Sequence, residues 1–289
     1  MPGAPLRPDQ NRAALIALAR TEGFDVDPGA DLDGAEFRLG WENVVLDTPD
    51  GWIIRFPRDE EFPFAREMKL LSRLRPRLPA PIPAVVSTGQ QTQVAVYRRL
   101  DGQHLEVSRY EAAPAAVRDR VADRLARFLA AMHEALSPAE IAEIGVPTTF
   151  VGEVHTEVPP LPEQLVPSWR TVRDELQQRL DASPNRPVLL HDDFHLGNLV
   201  LDSELGDLAG VWDFSCVAVG DLSIDFRYLV GDSWDLATRI ASAYAARTGR
   251  EVDLGLAATA LQLEEVSDAL EEGRDPAPYL TAGDGRRSR

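Results

Sequence analysis

The stretch from Pro187 to Phe226, PVLLHDDFHLGNLVLDSELGDLAGVWDFSCVAVGDLSIDF, limits the folds open to this chain more than any other. Its apolar run Val188-Leu189-Leu190 stops at the polar cluster His191-Asp192-Asp193-Phe194-His195-Leu196-Gly197-Asn198, and two further apolar runs follow, Leu199 to Leu201 and Leu208 to Trp212. The second of these ends in Asp213-Phe214. Short apolar runs bounded by Gly, Asp and Pro read as buried strands, which puts the polar side chains at strand ends. A carboxylate and a carboxamide there, with another carboxylate closing the next strand, aim oxygen ligands at one small volume, and that arrangement suits Mg²⁺ and phosphates. His191 and His195, four apart with an acid after the first, also outline a zinc hydrolase helix. That reading needs a Glu base and a continuous helix, whereas this motif lies between a strand-like run and Gly197, so it is set aside.

Upstream, residues 11 to 22 have the apolar spacing of an amphipathic helix. Phe37 to Leu39, Val44 to Leu46 and Trp52 to Phe56 read as three strands of an antiparallel meander, the last two joined by the turn Asp47-Thr48-Pro49-Asp50-Gly51. The first connection, Gly40-Trp41-Glu42-Asn43, has a single glycine and reads as an ordinary hairpin rather than a phosphate cradle. Phe64, Met68, Leu71, Leu74 and Leu78 predict one helix, with Glu67 off the stripe and Pro79 and Pro81 as its end. Strands are expected at Ala84 to Ser87 and Val94 to Tyr97. The sequence Arg98 to Gln103 then breaks the pattern, and a boundary placed there gives a first domain of residues 1–100 and a second of 101–289.

The second domain reads as mainly helical. Val117, Val121, Leu125, Phe128, Met132 and Leu136 mark one long helix, with His133 beside the stripe as a packed or capping histidine. Further helices are expected over 161–182, 227–247 and 254–272, and the acidic run from Glu264 to Glu272 reads as a solvated face with the alternative of holding an amine-bearing substrate. The tail GDGRRSR is expected to be disordered.

Composition narrows the partners. A net charge of -17 excludes a nucleic-acid footprint, which needs a basic surface, and leaves a cationic partner open. No apolar stretch is long enough to span a membrane, no secretory leader opens the chain, and a cytoplasmic monomer or dimer is expected. Cys216, the one cysteine, allows no internal disulfide, and Lys69 is the only lysine among 30 basic residues. Phosphate contacts elsewhere must therefore come from Arg, backbone N–H groups or a metal ion.

Asp193 stands five residues before Asn198, the spacing of the protein-kinase catalytic loop, and Asp213-Phe214 begins the next segment as the kinase metal-binding Asp does. Across residues 36 to 250 the chain resembles the aminoglycoside phosphotransferase family. That family's pattern is His-Gly-Asp-x-x-x-x-Asn, then Asp-Trp or Asp-Phe, then Gly-Asp-Pro-x-x-Asp-Leu or -Phe. Here it stands as His191-Asp192-Asp193 to Asn198, Asp213-Phe214, and Gly220-Asp221-Leu222-x-x-Asp225-Phe226. The resemblance implies an α+β, bilobal, kinase-like fold, with a small β-rich nucleotide-binding lobe and a larger helical lobe carrying the catalytic loop, metal site and acceptor site. It implies Asp193 as catalytic base, Asn198 and Asp213 as Mg²⁺ ligands, Asp221 and Asp225 as supports of the loop, and a nucleotide, ATP or GTP, held by Arg55, Glu67, Tyr97, Arg98 and Leu100. Asp192 replaces the usual Gly, and Arg55 replaces the usual Lys, although Arg55-Phe56-Pro57-Arg58 is similar to the macrolide phosphotransferase branch. The implied activity is transfer of the γ-phosphoryl group to a hydroxyl of a small molecule, an antibiotic before others. A kinase of an endogenous alcohol or sugar and a catalytically inactive nucleotide binder are the alternatives.

Overall fold

The computed structural model describes residues 11–40, 42–59, 62–149, 151 and 158–281. The amino-terminal residues read for a leader, Trp41 of the first hairpin turn and the tail GDGRRSR lie outside them. Two compact units divide the chain: Met1–Pro76 with Ile82–Leu100, and Arg77–Pro81 with Asp101–Arg289.

In the first unit, helix α1 (Arg12–Thr21) starts where the Asn11 side chain accepts the Ala14 N–H, which satisfies one of the donors a helix start leaves open. Strands β1 (Glu36–Leu39), β2 (Asn43–Asp47) and β3 (Trp52–Pro57) form the expected meander. Gly51 at the β2–β3 turn has φ +83°, a conformation that costs a side-chain-bearing residue strain. Helix α2 (Phe64–Leu74) precedes β4 (Val85–Thr88) and β5 (Ala95–Arg98), and the five strands run antiparallel in the order β1-β2-β3-β5-β4. Leu15, Ile16 and Ala19 of α1 pack with Val44, Leu46, Ile54 and Val96 of the sheet.

Helix α2 departs from expectation twice. It ends at Leu74 rather than beyond Leu78, because Pro76 has no N–H to extend the ladder. Its buried face is Glu67, Leu70, Leu71 and Leu74, so Glu67 belongs to the stripe it was read as leaving. What turns a carboxylate inward is Arg55, itself buried on β3, whose Nη2 donates to Glu67 Oε2.

The second unit begins with α3 (Val107–Ala112), α4 (Ala115–His133) and α5 (Pro138–Ile144). Val121, Leu125, Phe128 and Met132 of α4 are fully buried. Helix α6 (Val166–Ala182) starts later than the spacing suggested, with Pro167 in its first turn, where a missing N–H costs nothing. Two ribbons follow: β6 (Val188–Leu190) pairs with β9 (Ala218–Gly220), and β7 (Leu199–Leu201) pairs with β8 (Leu208–Val211), all antiparallel. Strand β9 was not anticipated from its three residues. Its Gly220 stands where a Cβ would come within 2.5 Å of the Thr149 methyl.

The segment 227–247 is not one helix. Ser233 is extended at φ -160°, ψ 118° and separates α7 (Arg227–Asp232) from α8 (Trp234–Thr248), accepting the Leu236 N–H on its side chain. Helix α9 (Leu254–Glu271) packs against α6 and α7, and α10 (Ala277–Thr281) follows it. Among the described residues no helix is long and apolar enough to cross a membrane.

Candidate active site

Asp225 anchors the polar cluster. Buried at 1% exposure, it accepts the N–H groups of His191 at 3.0 Å and Asp192 at 2.8 Å, and its Oδ2 lies 3.0 Å from His133 Nε2. The other ring nitrogen of His133 meets the Tyr244 hydroxyl at 2.8 Å, so the histidine beside the α4 stripe is packed, and it supports Asp225. Burial pushes the Asp225 carboxyl up, but the His133 hydrogen bond, the charges of His133 and His191 and the Asp192 N–H together hold it below its usual 3.8. Asp221, the other carboxylate of that motif, accepts the Ser223 N–H at 2.8 Å and the Ser183 hydroxyl.

Three sequence-selected residues occupy one end of the β7–β8 ribbon. Asn198 precedes β7 and Trp212 follows β8, and the Trp212 N–H donates to the Asn198 carbonyl at 3.0 Å, so Asp213 is one peptide from Asn198's partner. Asn198 Nδ2 donates to the Asp193 carboxylate at 2.7 Å and to its carbonyl at 3.0 Å. With the amide nitrogen so engaged, Oδ1 faces away from Asp193. Asp213 has φ +62°, and its Oδ1 accepts the Ser215 hydroxyl at 2.8 Å. His191 is fully buried with Nε2 against the Trp212 carbonyl at 3.0 Å, and burial lowers its pKa.

His195, singled out in the sequence only as part of the zinc-hydrolase motif set aside there, flanks Asp193. Its Nδ1 accepts the Gly197 N–H at 3.0 Å, which leaves Nε2 3.6 Å from Asp193 Oδ2. Burial works against a charge on the ring, but the Asp193 carboxylate, with Asp232 and Asp213 behind it, raises the pKa above 6.5. In Asp193→Asn the His195 imidazole is therefore expected to titrate at lower pH than in the wild type when followed by NMR. An unchanged midpoint would show that Asp193 does not set it.

Two residues missed by sequence reading are Arg227 and Tyr228. Arg227, 1% exposed, donates through Nη1 to Asp192 Oδ1 at 2.9 Å, through Nη2 to the Asp192 carbonyl, and through Nε to Glu264 Oε2 at 2.6 Å. Glu264 also accepts the Tyr228 hydroxyl, so the acidic run on α9 is not only a solvated face. Burial outweighs the pull of the Arg227 charge and leaves the Asp192 carboxyl raised to about 7. The available signal was an arginine between Phe226 and the apolar residues Leu229 and Val230, since a buried guanidinium demands a carboxylate.

Beside Asp193 opens a pocket of about 520 Å³ whose lining includes His195, Tyr228, Asp232, Leu261 and Glu265. Arg55, Glu67, Tyr97, Arg98 and Leu100 belong to the first unit. Arg55 and Glu67 form its buried ion pair, the half-buried Tyr97 pairs with Ile53 in the sheet, and the Arg98 side chain stacks 3.6 Å over the Trp52 ring while donating to the Asp50 carbonyl. Among the described residues no three His, Cys, Asp or Glu side chains gather as a metal site, so a metal here would depend on Asn198.

The model of the phosphotransferase enzyme family matches residues 33–275. No curated protein matched the chain by sequence. Among solved structures, the GDP and kanamycin complex of an APH(2")-type phosphotransferase is 20% identical with TM-score 0.75, the match covering 92% of this chain and 94% of that one. A macrolide 2'-phosphotransferase from Brachybacterium faecium, in its apo form, is 20% identical with TM-score 0.67, over 96% and 99% of the two chains. A macrolide 2'-phosphotransferase of type I is 22% identical with TM-score 0.66, over 95% and 99%. These likenesses are of fold, the bilobal α+β kinase-like architecture. With the family model spanning most of its length, this chain belongs to the aminoglycoside phosphotransferase family and is a nucleotide-dependent small-molecule phosphotransferase.

Proposed function

We propose that the protein transfers the γ-phosphoryl group of ATP or GTP to a hydroxyl of an amine-bearing antibiotic, with Asp193 as the base that orients and deprotonates that hydroxyl. The observation that carries this is the Asp193–Asn198 pair: a carboxylate fixed by an amide at 2.7 Å and opening onto a pocket that also holds Asp232 and Glu265. A hydroxyl seated there would meet a pre-oriented acceptor for its proton, and such catalysis consists of positioning and charge neutralisation. The pocket's carboxylates favour a cationic acceptor and its Leu196 and Leu261 accommodate an apolar face.

Asn198 Oδ1 and Asp213 are hard oxygen donors on adjacent ends of one ribbon, a set that fits Mg²⁺, which takes few protein ligands and keeps water and phosphate oxygens. Bound there, the ion would neutralise charge on the phosphates. In the first unit, Arg55 would face the phosphates in place of a lysine, oriented by Glu67, and the strand end at Tyr97 to Leu100 would meet the base. The protein would work in the cytoplasm, where these nucleotides are.

The test is expression in a susceptible host challenged with aminoglycosides, macrolides and cationic peptide antibiotics. Resistance to at least one amine-bearing class, lost in Asp193→Ala, is expected. No resistance, together with phosphorylation of a metabolic alcohol such as choline or homoserine by the purified protein, would replace the antibiotic by an endogenous acceptor.

A further inference from the structure

Residue 192 stands in the left-handed region at φ +60°, a backbone state that glycine adopts at no steric cost and other residues resist. Here it is an aspartate with 1% exposure, one residue before Asp193. Asp and Asn tolerate this region better than other side chains, but a buried carboxylate also has to be neutralised. Arg227 meets both demands. One arm of its guanidinium holds the Asp192 carboxylate at 2.9 Å and the other holds the carbonyl of the same residue. That carbonyl belongs to the peptide joining Asp192 to Asp193, so the planar fork fixes the plane from which the Asp193 side chain departs. The third nitrogen, Nε, is held at 2.6 Å by Glu264 on α9, the helix that also presents Leu261 and Glu265 to the pocket at Asp193.

We infer that Arg227 is a positioning residue for Asp193, holding Asp192 in a glycine-type conformation that the aspartate would not keep by itself. The inference rests on the reading of Asp193 as the base. It also makes a specific claim: Arg227 governs turnover only while residue 192 is aspartate. A purely structural ion pair would carry the same condition in stability but would leave the kcat of the folded variants unchanged.

The experiment is a double-mutant cycle of Arg227→Met and Asp192→Gly, with turnover read using ATP and GTP as donors and kanamycin, a macrolide and water as acceptors. In the wild-type background Arg227→Met is expected to lower kcat by about 10–100-fold, the scale of a small misplacement of a reacting group, with nucleotide KM changed by no more than about twofold. In the Asp192→Gly background the same substitution is expected to change kcat by no more than about threefold, because the coupled term has gone. Should Arg227→Met alone fail to fold, the comparison of Asp192→Gly with the double variant carries the test. A double variant more than about tenfold below Asp192→Gly, or a folded Arg227→Met with wild-type kcat, would overturn the proposal. So would an Asp192→Gly variant without turnover, since glycine is the residue said to relieve the loop. Failure of the base reading is distinguishable, because it appears as turnover retained in Asp193→Ala whatever the cycle gives.

Discussion

Replacing Asp193 with alanine is expected to lower kcat by about 10²–10⁴-fold, the usual contribution of a positioned general base, while nucleotide affinity measured by calorimetry changes by less than about threefold. The asymmetry follows from the local bonds. The Asp193 carboxylate is joined to Asn198 Nδ2 and lies near His195 Nε2, whereas the loop N–H that Asp193 holds, that of His195 at 3.1 Å, goes to its backbone carbonyl, which alanine keeps. The N–H groups of His191 and Asp192 are held by Asp225 instead. Alanine at 193 should therefore leave the scaffold standing and remove the proton acceptor alone. Turnover within about tenfold of wild type would remove Asp193 from the role of base.

The second large effect is on stability. Asp225→Ala is expected to destabilise the protein by about 3–5 kcal/mol, as loss of one partner from a buried charged network does. The N–H groups of His191 and Asp192 and the Nε2 of His133 would all lose their acceptor in the interior. In a thermal scan this corresponds to a fall on the order of 10 °C. Because the folded-state pKa of Asp225 lies below the unfolded value of 3.8, its contribution is present above that value and disappears as pH falls through the lower, folded one. The variant should accordingly lose part of the acid-induced decline that the wild type shows in that window. A loss below about 1 kcal/mol by urea denaturation would mean that water takes over the three donors.

Much of the first sheet was readable because alternation and turn chemistry are local: β1 to β3 and the Gly51 turn follow from residues within five positions of one another. The Asp193–Asn198 contact was readable for the same reason, being a spacing of five along the chain. What escaped depends on partners distant in sequence. Glu67 was read as off the buried stripe because only the fold brings Arg55 to it from β3. Arg227 and Glu264, 37 residues apart, meet only once α7 and α9 pack. The φ of Asp192 leaves no mark in composition or periodicity, and a residue-by-residue comparison with a glycine pattern could register the difference without explaining it. Helix boundaries failed where a single backbone group decided them, at Pro76 and at Ser233.

The Arg55–Glu67 pair has a consequence for covalent chemistry. A lysine in that place, desolvated and losing its proton, would offer a nucleophilic nitrogen to an electrophile. A guanidinium keeps its charge and has no lone pair to offer at any pH the fold survives. Across the whole sequence the single side-chain amine is Lys69, on the exposed side of α2 and two residues from Glu67. Reagents that silence kinases by capturing the phosphate-facing lysine would thus find no target on β3. The one side-chain amine they could label, Lys69, is exposed on α2, so such a reagent would mark the surface of that helix rather than β3.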